Sequence, residues 1–401
     1  MLITYQELEN CRKFWAGEVC IFGAGKLGKG AAYELIREMD FRVDFYCDNH
    51  ILPGTYIRDD LIVRNIQYLY EHNKDILVFV CVTAKYQKEI LEQLKNHDVE
   101  NVVVYDREVF ISLLLEEVDK ANDEVKKRCH RFYDDKEFLA PIFRSRTGYE
   151  MNVENPRTFN EKIQWLKLYD RNPAYTRMVD KYAVKEYIAR KIGEEYVIPT
   201  LGVYDTFDEI AFDNLPDQFV LKCTHDSGSV VICHDKSCFD KEDAKKKLER
   251  NLSINYYWVG REWPYKNVQR RIIAEKYMAQ SNNMVDYKFM CFHGEPKIVF
   301  TCTERFEQDG LKVTFFDLDW NRLSFERYYH SSTKVIPRPQ NLELMIKLAA
   351  KLSDGIPFVR VDFYEIEGTV YFGELTFSPG GGMEDFRPVE WDFIMGEWIK
   401  I

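Results

Sequence analysis

The stretch Phe358–Gly382 reads FVRVDFYEIEGTVYFGELTFSPGGG and predicts two antiparallel strands. In its first half Arg360, Asp362 and Tyr364 alternate with apolar residues, which is the period of a strand that buries one face. A Glu-Gly pair provides the turn, and the returning run TVYFGEL brings Glu374 opposite Asp362. The stretch therefore predicts a hairpin on which two carboxylates and an arginine converge.

The two acids, Asp362 and Glu374, suit a magnesium ion. Mg²⁺ typically keeps one or two protein carboxylates and takes its other ligands from water and nucleotide phosphates. The run Ser378–Gly382 follows directly, and its glycines let backbone amides approach an anion closely. An isolated Arg-x-Asp…Glu pattern is more often a surface hairpin with a cross-strand charge cluster, so the other segments decide between the two interpretations.

The composition is that of an ordinary globular protein. Hydrophobic residues make up 46% and charged residues 30% of the 401, and neither a membrane-spanning apolar run nor a secretory signal is visible. We therefore expect a cytoplasmic protein without a transmembrane segment. A formal net charge of −11 argues against nucleic acid as a partner. The ten cysteines lack a paired CxxC spacing, which favours reduced thiols over a zinc site.

Near the N-terminus a glycine motif follows a short apolar strand. Gly23, Gly25 and Gly28 precede a helical run, and a second strand ends at Asp48, about where a Rossmann unit places its ribose-binding acid. Strand candidates at 76–82 and 99–105 continue the alternation and imply a parallel sheet. This pattern predicts a Rossmann-like domain that binds a nucleotide sugar or NAD. The alternative is a glycine turn that only packs a helix tightly on its strand.

We expect three segments in the chain, whose oligomeric state the sequence leaves open. Residues 1–112 form the Rossmann-like α/β domain, 113–157 a helical connector, and 158–401 an α+β domain. The composition shifts to Arg, Gly, Asn and Pro near 144–156, and Thr158 followed by Glu161 predicts a capped helix just beyond. Within the last segment, Lys222 lies in an apolar strand, which is costly unless the lysine meets an anion or snorkels at a strand edge.

Several blocks of the last segment occur in the order seen in ATP-grasp enzymes. They are TFNEKIQWLKLYD, VDKYAVKEY, LPDQFVLKCTHDSGSVVI, GREWPYKN, IIAEKYM, DYKFMCFHGEP, FVRVDFY and YFGELTFSPGGG. Residues 158–401 thus resemble the ATP-grasp superfamily, and more narrowly its teichuronopeptide biosynthesis (TupA-like) branch. The resemblance implies a two-lobed fold that holds ATP and Mg²⁺. The N-terminal segment is similar to the small Rossmann-like domain of surface-sugar biosynthesis enzymes.

The resemblance also implies roles for individual residues. Arg360 and Lys222 would be catalytic, and Asp362, Glu374 and Thr376 would be the metal ligands. Thr376 stands where most ATP-grasp enzymes have asparagine, which implies weaker binding of a second Mg²⁺. The implied nucleotide-binding residues are Lys181, Lys222, Ser227, Gly228, Ser229, Glu275, Lys276, Tyr277, Met278 and Lys288.

The segment after the hairpin is the candidate substrate site. Gly380 and Gly381 form a flexible turn that leads to Glu384, Asp385 and Arg387. Arg387 would pair with a substrate carboxylate, and Glu384 or Asp385 would hold the attacking ammonium. The alternative is a solvated charged loop.

The resemblance implies an ATP- and Mg²⁺-dependent carboxylate–amine ligase of bacterial surface-polysaccharide biosynthesis. It would act through an acyl phosphate on a small or sugar-linked carboxylate, such as a uronic acid, and an amino acid or amine. Two alternatives stay open, a glycosyltransferase and a non-catalytic sugar-nucleotide binding protein. Against the glycosyltransferase, Asp317-Leu-Asp319 is the one Asp-x-Asp triplet of note, and it is more typical of a strand-to-turn acid pair.

Overall fold

The computed structural model describes residues 7–8, 11, 14–58, 61–278, 285–304, 307 and 310–401. The chain divides into two compact units, Met1–Tyr133 (unit 1) and Asp134–Ile401 (unit 2). The three-part division at residues 112 and 157 stays a prediction, and its connector has residues in both units. The ten cysteines, which all lie within the described ranges, form no disulfide with one another, and seven of them are buried.

Unit 1 alternates strands and helices. Its elements are β1 (Glu18–Phe22), α1 (Tyr33–Glu38), β2 (Phe45–Cys47), β3 (Tyr56–Arg58), β4 (Leu61–Ile62), α2 (Ile66–Glu71), β5 (Ile76–Val80), α3 (Ala84–Asn96), β6 (Val102–Val104), α4 (Arg107–Lys120), α5 (Asp123–Arg128) and α6 (His130–Tyr133). Four strands form a parallel sheet in the order β2–β1–β5–β6, with an apolar core on its strands. The predicted parallel sheet is confirmed, whereas a Rossmann domain as such stays a prediction.

Unit 2 begins with helices and continues with two antiparallel sheets. Its elements are α7 (Asp135–Thr147), α8 (Phe159–Tyr169), α9 (Ala174–Val179), α10 (Ala183–Lys191), β7 (Thr200–Tyr204), β8 (Phe219–Cys223), β9 (Val231–Cys233), α11 (Lys241–Leu252), α12 (Tyr256–Gly260), β10 (Ile272–Lys276), β11 (Asp286–Phe292), β12 (Glu295–Thr303), β13 (Lys312–Phe316), β14 (Glu326–Arg327), α13 (Leu342–Ser353), β15 (Phe358–Ile366), β16 (Thr369–Thr376), β17 (Phe386–Arg387) and α14 (Glu390–Trp398).

The first sheet of unit 2 has four strands in the order β7–β10–β8–β9. Its central pair, β8 and β10, is antiparallel, and Lys222 lies opposite Ile273. Alternate residues such as Leu221 and Cys223 pack with α11 in an apolar core. Lys222 therefore projects from the opposite face of the sheet, so the lysine is presented away from that core.

The second sheet has five strands in the order β13–β12–β11–β15–β16. On one face Val359, Val361 and Phe363 of β15 pack with α9, α10 and α13. On the other face Phe358 packs with α8 and α14. Since side chains alternate along a strand, that second face also receives Arg360, two residues beyond Phe358. The same face is thus apolar at one end and charged at the other.

Helix α8 begins at the predicted capping box. The Thr158 hydroxyl accepts a hydrogen bond from the Glu161 amide, and the Glu161 carboxylate accepts one from the Thr158 amide. Each partner satisfies a donor that the first helical turn leaves open. Phe159 and Ile163 are fully buried in the core shared with α14, so the helix is fixed against the five-stranded sheet.

Candidate active site

The β15–β16 hairpin brings Arg360, Asp362 and Glu374 into direct contact. The Arg360 guanidinium donates from Nε to Asp362 Oδ1 (2.7 Å) and from Nη2 to Asp362 Oδ2 (2.7 Å) and Glu374 Oε1 (2.5 Å). Lys288, on the neighbouring strand β11, donates to Asp362 Oδ2, and the Thr376 hydroxyl donates to Glu374 Oε1 (3.2 Å). All five predicted residues of this cluster therefore lie together.

Burial and charge act in opposite directions on this cluster. Burial by itself would raise the pKa of Asp362, but Arg360 and Lys288 outweigh it and hold the pKa below its usual value. For Lys288 burial would lower the pKa, and the attraction of Asp362 raises it above its usual value. Asp362 therefore stays ionised among cations in a site from which water is largely excluded.

The oxygen atoms of the hairpin are a donor set that fits Mg²⁺. Asp362 and Glu374 supply carboxylates and Thr376 supplies a hydroxyl, all from adjacent strands. Only 2% of the Asp362 side chain is exposed, against 44% of the Glu374 side chain, so an ion would approach from the Glu374 side. Mg²⁺ would complete its shell with water and phosphate oxygens, in line with its usual coordination.

A second charged cluster lies on the four-stranded sheet. Glu275 is 5% exposed, and its two oxygens contact different lysines: Oε2 lies 2.5 Å from Lys222 Nζ and Oε1 lies 2.5 Å from Lys185 Nζ. Burial would raise the pKa of Glu275, but the two lysines lower it instead. Lys185 also donates to the Ile198 carbonyl at 2.6 Å. Both carboxylate oxygens of Glu275 are therefore paired with lysines, whereas a side chain that hydrogen-bonds adenine would need a free oxygen.

Sequence reasoning missed Lys185. It lies four residues after the predicted Lys181 and precedes Glu186 in the block VDKYAVKEY. Lys185 lies in the first turn of α10, whereas Lys181 precedes the helix, so helical spacing does not link the two lysines.

Lys181 holds the loop that follows β8. Its ammonium donates to the Asp226 carbonyl, and Nζ lies 3.6 Å from Asp226 Oδ1. Ser229 donates to the same Oδ1 (2.7 Å) and accepts from the Cys223 amide (2.8 Å), so this serine is structural within the turn. Ser227 and Gly228 are exposed, and Gly228 has a φ of 101°, a conformation that favours glycine. The exposed tip is the part available to a ligand.

The segment after Glu275 leaves the sheet with its side chains unequally exposed. The Lys276 amide donates to the Pro199 carbonyl at 3.0 Å, and the Lys276 side chain is exposed. Tyr277 and Met278 are half-buried, and the Tyr277 ring meets His234 edge-on at 5.1 Å. The side chains of Tyr277 and Met278 are thus partly accessible, as packing on an adenine would require.

Among the predicted substrate residues, Gly381 and Glu384 are half-buried, whereas Gly380, Asp385 and Arg387 are exposed. Gly380 and Gly381 lie in a turn with φ of 58° and 68°, and Glu384 is paired with Arg327, which sequence reasoning missed. By contrast Arg387 is 44% exposed, and it donates to a backbone carbonyl at 3.4 Å. Because Arg327 neutralises its charge, the Glu384 carboxylate already has an ionic partner in the folded chain.

Asp385 belongs to the exposed group. Its side chain is 62% exposed, and Oδ2 lies 3.6 Å from Arg387 Nε. Such a surface pair is weak and both side chains are exposed, so the part of these two residues in substrate binding stays a prediction.

Helix α8 presents a polar stripe to the same turn. Gln164 Nε2 donates to the carbonyls of Gly381 (2.9 Å) and Gly382 (2.7 Å). Lys167 Nζ donates to the Gly381 carbonyl at 3.1 Å, and Asn160 Nδ2 donates to the backbone carbonyl of residue 384 at 2.8 Å. Positions 160, 164 and 167 have helical spacing, so the sequence carried a signal for this stripe.

In unit 1 the predicted glycine turn is closely packed at two of its three glycines. A Cβ on Gly28 would lie 1.8 Å from the Gly23 carbonyl oxygen, whereas a Cβ on Gly25 would meet no atom within 4 Å. Asp48 accepts from the Ala24 amide (2.9 Å) and, through its other oxygen, from the His50 amide (2.8 Å). Asp48 therefore holds the turn itself, and the nucleotide ligand stays a prediction.

The triplet Asp317-Leu-Asp319 supports a turn. Asp317 Oδ1 accepts from the backbone amides of Asp319 (3.0 Å) and Asn321 (2.7 Å), and Oδ2 accepts from the Asn321 side chain (2.9 Å). These bonds are typical of an Asx-type turn after a strand. The Asp317 carboxylate is thus occupied by the backbone that follows it.

Comparisons with solved structures find remote similarity. A D-alanine–D-alanine ligase from Helicobacter pylori has 17% identity over 60% of this chain and 69% of its own, with a TM-score of 0.29. The D-alanine–D-alanine ligase from Bacillus anthracis has 14% identity over 90% and 87%, with a TM-score of 0.30. An L-amino acid ligase from Bacillus licheniformis has 10% identity over 92% and 69%, with a TM-score of 0.29.

The sequence itself matches one family. No curated protein sequence matches the chain, and none of the helices in the described ranges is long and apolar enough to cross a membrane. The family described as "TupA-like ATPgrasp" matches residues 161–400, which is more than half of the chain and includes both charged clusters of unit 2. The predicted resemblance is thereby confirmed at the level of the family: the chain belongs to the TupA-like ATP-grasp family.

Proposed function

We propose that the protein is an ATP- and Mg²⁺-dependent ligase that joins a carboxylate to an amine through an acyl phosphate. The observation that carries this proposal is the hairpin cluster, in which Arg360 bonds both Asp362 and Glu374 on adjacent strands of a family member. Phosphoryl transfer depends mainly on positioning and charge neutralisation, and this cluster supplies both without a side-chain nucleophile.

On this proposal each cluster has a part in the reaction. Asp362, Glu374 and Thr376 hold Mg²⁺, which neutralises phosphate charge when it is bound. Arg360 orients the two carboxylates and steadies the phosphoryl group during transfer.

The second cluster holds the nucleotide. Lys181 and Lys222 contact its phosphates, Ser227 and Gly228 close over them, and the backbone of 275–278 together with Tyr277 or Met278 packs on the adenine. Lys222 is 18% exposed, so its ammonium is accessible from this side.

We infer from the family a role in bacterial capsular or cell-wall polysaccharide biosynthesis, in which a uronic acid or related carboxylate receives an amino acid or amine. The turn formed by Asp317 supports the ligase over a glycosyltransferase, because its carboxylate already caps the backbone.

The test is product analysis with the purified chain. ATP, MgCl₂ and mixtures of uronates with amines should give ADP and phosphate only when acid and amine are both present. Turnover of a nucleotide sugar without ATP would indicate a glycosyltransferase instead.

Lys222→Met supplies the matched comparison. Removing one charge-stabilising donor typically costs on the order of 10²-fold in rate, so ADP formation should fall by about that factor. Lys246→Met, on the exposed side of α11, should keep the parental rate. Equal rates in the two variants would remove Lys222 from the phosphate site.

A further inference from the structure

Lys167 is a buried lysine without an ionic partner. Its residue is 3% exposed, and Nζ donates to Gln164 Oε1 (2.9 Å) and to the Gly381 carbonyl (3.1 Å). Both acceptors are neutral. A lysine ammonium has three donors, and within the described ranges the third donor of Lys167 has no hydrogen-bond partner and no carboxylate lies within 4 Å of Nζ.

An ammonium in this position carries a desolvation cost that its neighbours offset only in part. Burial lowers the pKa of Lys167 to about 8, against the weaker attraction of Glu262 and Asp135. Glu262, which is also buried, has its own pKa raised by burial to about 7, so it is an incomplete counter-charge near neutral pH. Binding of an anion would therefore stabilise the buried ammonium of Lys167.

Lys167 contacts the turn that follows the β15–β16 hairpin. The carbonyl that it bonds belongs to Gly381, five residues after the metal-ligand candidate Thr376. A Cβ on Gly381 would meet no atom within 4 Å, so there is open space beside this glycine. The positive charges of Lys167 and Arg360 lower the pKa of Glu262 and the negative charge of Glu374 raises it, against the larger effect of burial.

We propose that Lys167 is the anion-binding group of a subsite beside Gly381, and that it takes the carboxylate of the acid substrate. The proposal rests on the proposed ligase function and names a substrate-binding residue for it. It replaces Arg387 in that role, because Arg387 is 44% exposed and bonds a backbone carbonyl, whereas Lys167 is buried and lacks an anion. The carboxylate would supply the missing counter-charge at Nζ.

The first test needs no disabling variant. The full chain is labelled with [ε-¹³C]lysine, and the Lys167 signal is assigned by its loss in Lys167→Arg. The pKa of Lys167 is then measured with Mg²⁺ and a non-hydrolysable ATP analogue, in the presence of D-glucuronate or N-acetylglycine. We expect one of these carboxylates to raise the pKa by about one unit, because an opposite charge favours the ammonium. D-Glucuronamide and N-acetylglycinamide, which are neutral, should leave it unchanged.

The second test separates binding from a purely structural role. In Lys167→Met the KM for the responding carboxylate should rise by about 30-fold, while the KM for ATP stays unchanged and Lys167→Arg recovers part of the loss. A lysine that only holds the Gly381 carbonyl would lower stability and change both KM values together. The proposal is overturned if the folded Lys167→Met variant keeps the parental KM for the acid. It is also overturned if neither carboxylate changes the pKa of Lys167.

The two experiments separate the failure of the proposed ligase activity from the failure of the proposed anion subsite. A carboxylate-dependent pKa without ADP formation under any acid and amine would establish the anion subsite and reject the ligase. ADP formation with an acid KM that ignores Lys167 would do the reverse.

Discussion

Replacing Glu275 with glutamine removes the charge of a buried carboxylate but keeps its shape. In the folded chain the Glu275 side chain is 6% exposed, and its carboxylate contacts Lys185 and Lys222, each at 2.5 Å. Glutamine has one acceptor oxygen in place of two charged ones. Glu275→Gln therefore leaves two lysines, 14% and 18% exposed, without their counter-charge.

The expected cost follows from the burial of the cluster. Breaking a buried ion pair by removing one partner typically costs about 3–5 kcal/mol, because the remaining charge stays desolvated. Both lysines keep some access to water, which favours the lower limit of about 3 kcal/mol. With a urea m-value near 3 kcal/mol/M, the upper end of its usual range, the unfolding midpoint of unit 2 should fall by about 1 M.

Tryptophan fluorescence in urea is the appropriate assay, because six of the seven tryptophans lie in unit 2 and only Trp15 lies in unit 1. Glu186→Gln is the matched control. Glu186 also contacts two cations, Arg177 (2.8 Å) and Arg190 (3.4 Å), but it is 64% exposed, so its loss should cost less than about 0.5 kcal/mol. A shift no larger for Glu275→Gln than for Glu186→Gln would refute the assignment of a buried, stabilising cluster.

Three further predictions concern single side chains. Glu374→Gln should move the magnesium titration of ADP formation at least about 10-fold higher, since the metal loses a charged ligand, and an unmoved curve would make the hairpin structural. Burial lowers the pKa of His225 to about 4, below the 6.5 of an exposed histidine, so the unfolded chain binds the proton first as the pH falls. Unit 2 should then lose up to about 2 kcal/mol between pH 7 and 5 in urea titrations, His225→Gln should abolish this loss, and exposed His234→Gln should retain it. Gly25→Val should abolish calorimetric binding of UDP-sugars or NAD without changing the melting temperature, whereas Gly28→Val should destabilise unit 1, and absence of binding to the parent chain would favour the packing interpretation.

The hairpin was predictable from the sequence because local rules determine it. Alternation with period two assigns Arg360 and Asp362 to one face, and a two-residue turn fixes which residues of the return strand face them. That register alone would place Gly373 opposite Asp362, and the shift in register between Val361 and Phe363 brings Glu374 to the face of Arg360 and Asp362. Roles for individual residues required the family resemblance, since the same charges on a hairpin without it are more typical of a surface cluster.

The contacts that the sequence did not reveal join distant segments. Arg327 and Glu384 are 57 positions apart, and Lys185 reaches Glu275 across the four-stranded sheet. No spacing rule links such residues, because tertiary packing alone brings them together. Arg387, which its place next to a glycine turn suggested as a substrate clamp, is 44% exposed, and its role stays a prediction; the buried cation at the turn is Lys167.

The second charged cluster, Glu275 with Lys185 and Lys222, also explains how Lys222 can be held in place and still exchange its carboxylate partner for a phosphate. Glu275 uses a different oxygen for each lysine, so Lys222 can leave for a phosphate while Oε1 keeps Lys185 as its counter-charge. Lys185 has an additional bond to the Ile198 carbonyl that fixes its position. Because a charge that loses its partner in a buried site is costly, a carboxylate with a single lysine would resist this exchange. On the proposed function, the affinity for ATP therefore depends on the difference in free energy between the Lys222–phosphate and the Lys222–Glu275 ion pairs. Because Lys185 stays with Glu275, it lowers the cost of breaking the Lys222–Glu275 pair, and ATP can bind.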